Sequence, residues 1–142
     1  MKNETRIEVL LEFGNICLRN DSVVQVHINP GVHLRYKEAQ KLMETISGLS
    51  RYTSRPVVVD LRHIEQVDTA AKLYFLQEHP NNHNQCIAIL ISSTAGRMLA
   101  NWSLLFRQTG CPIRYFNSET AALKWGQRFL PNMHPAWQTM AA

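Results

Sequence analysis

The sequence predicts an α/β fold: a single-domain mixed β-sheet with N-terminal antiparallel hairpin strands and about four helices. Two patterns predict it. From Val24 onward, short apolar runs alternate with segments whose apolar residues recur every three or four positions, which is strand alternating with helix. Before that point, closely spaced apolar runs separated by turn residues are the mark of antiparallel hairpins. Size and composition agree, since 142 residues that are 45% hydrophobic and 18% charged can close one core without a metal or disulfide staple.

Taken in order, Arg6 to Phe13 reads as the first strand and Ile16 to Arg19 as the second, with Gly14-Asn15 as a two-residue turn between them. Asn20-Asp21 turns the chain into Ser22 to Ile28. There Val24, Val26 and Ile28 alternate with Gln25 and His27, so one face of that strand meets the core. Asn29-Pro30-Gly31 ends this small meander. Ala39, Leu42, Met43, Ile46 and Leu49 then form the inward stripe of a helix that begins after Leu34 and stops near Ser47-Gly48. Ser50 to Arg55 is a polar linker. Pro56 opens Val57-Val58-Val59-Asp60-Leu61, a β-branched run apolar on both faces and hence a central strand.

Asp68 is placed to cap a second helix, Thr69 to about Glu78, with Ala71, Leu73 or Tyr74, and Phe75 inward. His79 to Asn84 is a loop by composition, and Cys86 to Ile91 is another buried strand. Ala95, Met98, Leu99, Trp102, Leu105 and Phe106 share one side of a third helix, which Gly110 and Pro112 end. Ile113 to Phe116 is a short strand, and Ser118 caps a last helix reaching about Leu130, where Pro131 stops it. The domain therefore spans 1–130. Residues 131–142 are a tail whose Met133, Trp137 and Met140 lack periodicity and suit a contact, lid or self-association role.

Charge and motif content exclude several functions. Lys and Arg number 15 against 11 Asp and Glu, a net +4. They are dispersed (Arg35, Lys37 and Lys41; Arg51 and Arg55; Arg107, Lys124 and Arg128) without interleaved aromatics, which argues against nucleic-acid binding. No apolar run approaches the ~18 residues of a membrane span, and the mixed charge of Met1 to Arg6 is unlike a signal peptide. The 3 cysteines form no CxxC pair, which fits a reducing cytoplasm. His79, His83 and Cys86 give H-x3-H-x2-C, but no fourth ligand stands near, so neither a metal nor any other cofactor is expected.

Two places could carry chemistry. Asp60 at the carboxyl end of a central strand, with Arg62, Asp68, Thr69 and Lys72 after it, would line the crevice where open α/β sheets meet ligands. Local capping and pairing is the commoner role for such residues, and a dyad of Asp60 with His63 would need a geometry that sequence does not show. Ser92, Ser93 and Thr94, followed by Arg97, open a helix after a buried strand, so backbone N–H groups and the guanidinium form a candidate anion site. Capping by Ser93 or Thr94 explains the same residues. No Gly-x4-Gly-Lys, G-x-S-x-G or H-E-x-x-H occurs, and no enzyme is expected.

The run Val57 to Arg62, followed by Val67-Asp68-Thr69-Ala70-Ala71, resembles the STAS (SpoIIAA-like) fold of bacterial anti-sigma factor antagonists. Pro30-Gly31-Val32, Ser92-Ser93-Thr94 with Arg97, and Phe116-Asn117-Ser118-Glu119 are similar to features of uncharacterised bacterial STAS/SEC14-like small proteins. The resemblance covers about Glu8 to Leu130 and implies a non-enzymatic regulatory module that works through a protein partner. A homo-oligomer, or a small-ligand or lipid-binding domain of SEC14-like type, is the alternative it leaves open. In phosphorylatable STAS proteins the acceptor hydroxyl stands two residues after the loop Asp. Here that residue is Ala70, which has no hydroxyl, and Thr69 is turned about 100° away on a helix.

Overall fold

The computed structural model describes residues 7–50, 53–76, 84–92 and 111–130. The elements are β1 (Ile7–Leu11), β2 (Gly14–Leu18), β3 (Val24–Ile28), β4 (His33–Leu34), α1 (Tyr36–Ser50), β5 (Arg55–Asp60), β6 (Gln66–Val67), α2 (Thr69–Leu76), β7 (Asn84–Leu90), β8 (Ile113–Phe116) and α3 (Glu119–Gln127). Six strands form one sheet in the order β1-β2-β3-β5-β7-β8. The first three run antiparallel, and β3, β5, β7 and β8 are parallel. The mixed sheet predicted from the sequence is therefore present. The expected third helix and the tail after Leu130 lie outside the described residues.

Alternation along each strand assigns the two faces. Ile16, Val24, Val26, Ile28, Val57 and Ile89 are buried with the inward stripe of α1 (Ala39, Leu42, Ile46 and Leu49) and with Ala71 of α2. On the opposite face Val58, Ala88 and Leu90 pack with Ala122 of α3 and Leu130, and Phe116 and Trp125 close over them. Burying each such aliphatic side chain contributes roughly 1.5–3 kcal/mol. The run from Val57 to Val59 is apolar throughout because helices cover both of its faces.

Three expectations need correction. The first hairpin turns at Glu12-Phe13, because Leu11 pairs with Gly14, and Gly14-Asn15 lie inside β2. Gly14 serves close approach rather than a turn: a Cβ there would meet the carbonyl oxygen of His27 at 2.2 Å. Helix α1 runs through Gly48 to Ser50, since the burial of Leu49 in the core outweighs the helix penalty of an exposed glycine, about 1 kcal/mol. Strand β5 begins at Arg55 and takes Pro56 inside it, at a register shift against β7 where the missing N–H is tolerated.

A second, two-stranded sheet was not visible in the sequence. In it β4 pairs parallel with β6, and Gly31 N–H donates to His63 O (2.8 Å), Glu65 N–H to Val32 O (2.8 Å) and Asp68 N–H to Leu34 O (2.9 Å). These bonds tie the loop before α1 to the loop before α2, so both helix N-termini are held at one end of the main sheet. Gly31 reaches this path with φ +78°.

Candidate functional site

Asp60 is the last residue of β5 and the one acidic or basic side chain buried among the described residues, at 5% exposure. Strand parity points it to the α3 face, with Val58. Arg62, two residues on, wraps back: its Nε donates to Oδ1 (3.0 Å), its Nη2 to Oδ2 (2.8 Å) and its backbone N–H to Oδ1 (3.1 Å). His27, opposite Asp60 in the β3–β5 register, brings Nδ1 to 3.3 Å of Oδ2. Burial pushes the Asp60 carboxyl up, but the Arg62 hydrogen bonds and charge, with a smaller contribution from His27, outweigh it and hold it below the usual carboxylate range. The same bonds push the Arg62 guanidinium further up. Asp60 is thus an ionised anchor whose lone pairs are occupied.

The polar cluster extends along the same face. Gln25, two residues before His27 on β3, donates to the carboxylate of Glu119 in the first turn of α3, and Glu119 also acts electrostatically on Arg62. Ser118 caps that helix, its Oγ accepting from Ala121 N–H at 3.3 Å. At the far end of α3, Gln127 donates to Asp21 (2.9 Å), which also accepts from Arg19 (3.1 Å). Polar contacts therefore fasten both ends of α3 to the meander, and its middle sits on apolar β5 and β7.

Asp68, Thr69 and Lys72 stand elsewhere. Asp68 precedes α2, and its carboxylate contacts His33 Nε2 of β4 at 2.5 Å, while its carbonyl accepts from Lys72 N–H (3.0 Å). Because α2 packs on the α1 face and Asp60 points to the α3 face, the single surface expected from Asp60 to Lys72 is two surfaces on opposite sides of the sheet. On the α2 side Thr69 and Ala70 are exposed, and Leu73, expected to be a candidate for the inward stripe, is 52% exposed. Ala71, Tyr74 and Phe75 take the core side instead. Tyr36, at the start of α1, is 47% exposed and meets Tyr74 edge-on at 5.3 Å between ring centroids. Exposed apolar side chains from α1 and α2 thus stand on the α2 side of the sheet.

Of the candidate anion site, Ser92 is half-buried just after β7, and Ser93, Thr94 and Arg97 lie outside the described residues. So do His79 and His83, whereas Cys86 is fully buried in β7 with its thiol pushed up to about 12 by burial and by Cys111 nearby. Such a thiol is a poor metal ligand, and no group of three ligating side chains occurs among the described residues. The dyad imagined between Asp60 and His63 is not formed: His63 is exposed, and the imidazole at Asp60 belongs to His27. Sequence reasoning missed His27, His33, Gln25 and Glu119. The one signal available was the polar parity of Gln25 and His27 along β3.

Residues 16–130 match the model of a domain of unknown function, DUF7793. The chain belongs to the DUF7793 family. None of the curated proteins matches this DUF7793 chain. Among solved structures it is similar to an uncharacterised protein of the DUF3478 family from Shewanella loihica PV-4, which has a SpoIIAA-like fold. The TM-score is 0.54 at 15% identity, over 89% of this chain and 98% of that one. Identity that low shows the fold alone. The STAS-like architecture implied by Val57–Arg62 and Val67–Ala71 is thereby supported, and the family model that matches is DUF7793 rather than a STAS one. No helix of the described residues is long and apolar enough to cross a membrane.

Proposed function

We propose that this DUF7793 protein is a non-enzymatic interaction module that binds a protein partner through the exposed side of α2. The surface comprises Asp68, Thr69, Ala70, Lys72 and Leu73, with Tyr36 of α1 at its border. One observation carries the reading: Leu73 of α2, 52% exposed, and Tyr36, 47% exposed and edge-on to Tyr74 of the same helix as Leu73, leave large apolar side chains at the surface of α2 and its border with α1. An apolar centre with charged residues at its margin is the composition of a protein contact. Chemistry at Asp60 is disfavoured because Arg62 and His27 already engage its carboxylate. Regulation by phosphate at the STAS acceptor position is disfavoured by Ala70, so binding through α2 would be constitutive.

The test is site-specific photocrosslinking in the source cell, with the photoreactive side chain at Leu73 or, as a control, at Lys124 on α3. The expected result is one discrete adduct from position 73 that is absent from position 124 and lost with Asp68→Lys. Adducts of equal pattern from both positions, or none from position 73, would overturn the proposal.

A further inference from the structure

Among the described residues the sheet ends at β1 on one side and β8 on the other, and the two edges are built differently. Strand β8 carries an exposed Arg114 whose guanidinium lies 5.4 Å from the ring centroid of Phe116, a charged guard of the kind that discourages strand addition. Strand β1 reads Ile-Glu-Val-Leu-Leu, with no Lys and no Pro, and keeps an unbroken register against β2 from Ile7 to Leu11. Its one charge, Glu8, is exposed, and its carboxylate accepts a hydrogen bond from Asn15 on β2, which ties it back toward its own sheet. Leu10 is 78% exposed and Ile7 39% exposed.

We infer that β1 is a self-pairing edge, and that a second copy of this chain adds its own β1 antiparallel to it, joining two six-stranded sheets into one. The occupant follows from the complementarity of the strand with itself. An outer edge presents a row of backbone N–H and C=O groups that only another strand satisfies in series. About a two-fold axis through Val9, every residue of β1 finds a partner: Val9 faces Val9, Ile7 faces Leu11, and Glu8 faces Leu10. Ile7, Val9 and Leu11 of both copies then form one apolar ladder continuous with the layer under α1, where Val9 and Leu11 already pack. On the opposite face each Leu10 covers the aliphatic stem of the other copy's Glu8, and no like charges stand directly opposed. Two-fold pairing also closes on itself, giving a dimer and no filament.

This surface is separate from the α2 surface, so the two proposals fail independently. Sedimentation equilibrium of the full chain between about 1 and about 300 μM, a range that spans typical dimer affinities, should show a species of twice 16.3 kDa. The double variant Ile7→Lys, Leu10→Lys should sediment as a monomer with an unchanged far-ultraviolet dichroism spectrum. Hydrogen exchange of the unaltered chain supplies a readout that needs no variant. Amides of Ile7–Leu11 should gain protection as concentration rises, and those of Ile113–Phe116 should not. A monomer across the whole range, a dimer unaffected by the two lysines, or β1 exchange independent of concentration would each overturn the inference.

Discussion

Replacing Asp60 by asparagine tests whether the Arg62–Asp60–His27 cluster is a structural clamp. The amide keeps the size of the side chain and one acceptor oxygen, so the bonds from Arg62 Nε and backbone N–H can survive. The second arm, from Nη2 at 2.8 Å, would face an NH2 group, and the charge that neutralises the guanidinium disappears. Breaking a fully buried pair from one side costs ~3–5 kcal/mol. Arg62 keeps 31% of its side chain in solvent, and water recovers part of that cost. The expected loss is therefore about 2–3 kcal/mol at pH 7, or a fall in Tm of roughly 6–9 °C at this chain length.

The same residue predicts a pH dependence. The native carboxyl sits below its unfolded value, so its stabilisation is fully present above about pH 4 and is lost as pH falls through the lower native value. Urea unfolding of both proteins, followed by tryptophan fluorescence, should show the gap constant from about pH 7 to pH 5 and shrinking toward pH 3. A gap below about 0.5 kcal/mol at pH 7, or one undiminished near pH 3, would refute the clamp.

Three further outcomes follow from the backbone and the thiols. Gly14→Ala places a Cβ 2.2 Å from a backbone oxygen, and should cost more than about 2 kcal/mol in urea unfolding or prevent folding. Gly48 and Gly31 both have open space where a Cβ would go, yet alanine should act oppositely at the two. It should stabilise by about 0.5–1 kcal/mol in the helix at position 48 and destabilise by about 1 kcal/mol at position 31, where φ is +78°. Iodoacetamide near pH 8 should label Cys111 well before Cys86, whose buried thiol is pushed up to about 12. Peptide mass spectrometry that found Cys86 labelled first would contradict its burial.

The sheet was legible because strand and helix periods are local properties. Val24 to Ile28, Val57 to Asp60 and Ile113 to Phe116 each announce themselves through a few adjacent side chains, and Ser118 marks α3 through one hydroxyl. The hairpin register was not legible. Gly14 looked like a turn residue, and only the approach of β3 shows that it is needed for the contact with His27. The helix end at Gly48 was misjudged for a similar reason: an exposed glycine weakens a helix by less than burying Leu49 strengthens it. Asp60 and Arg62 were found as neighbours in sequence. Their partner His27 stands 33 positions earlier, and no spacing rule joins a residue on β3 to one on β5.

By itself the sequence determined the strands of the main sheet to within a residue or two, the helices that flank β5 and β8, and which side chains are apolar enough to form a core. These depend on side-chain chemistry and short-range periodicity, which each residue carries with it. Only the tertiary structure decided that Asp60 and Asp68, eight residues apart, work on opposite faces of the sheet. A strand's side chains alternate by face, and a loop that crosses the sheet's end sends the next helix to one side or the other. That choice is made by the packing of α1, α2 and α3, with the β4–β6 pair holding two loops together at one end. The exposure of Leu73 arises in the same way. Local pattern left Leu73 and Tyr74 as alternatives for the inward stripe, and three-dimensional packing put Tyr74 against the core and Leu73 at the surface.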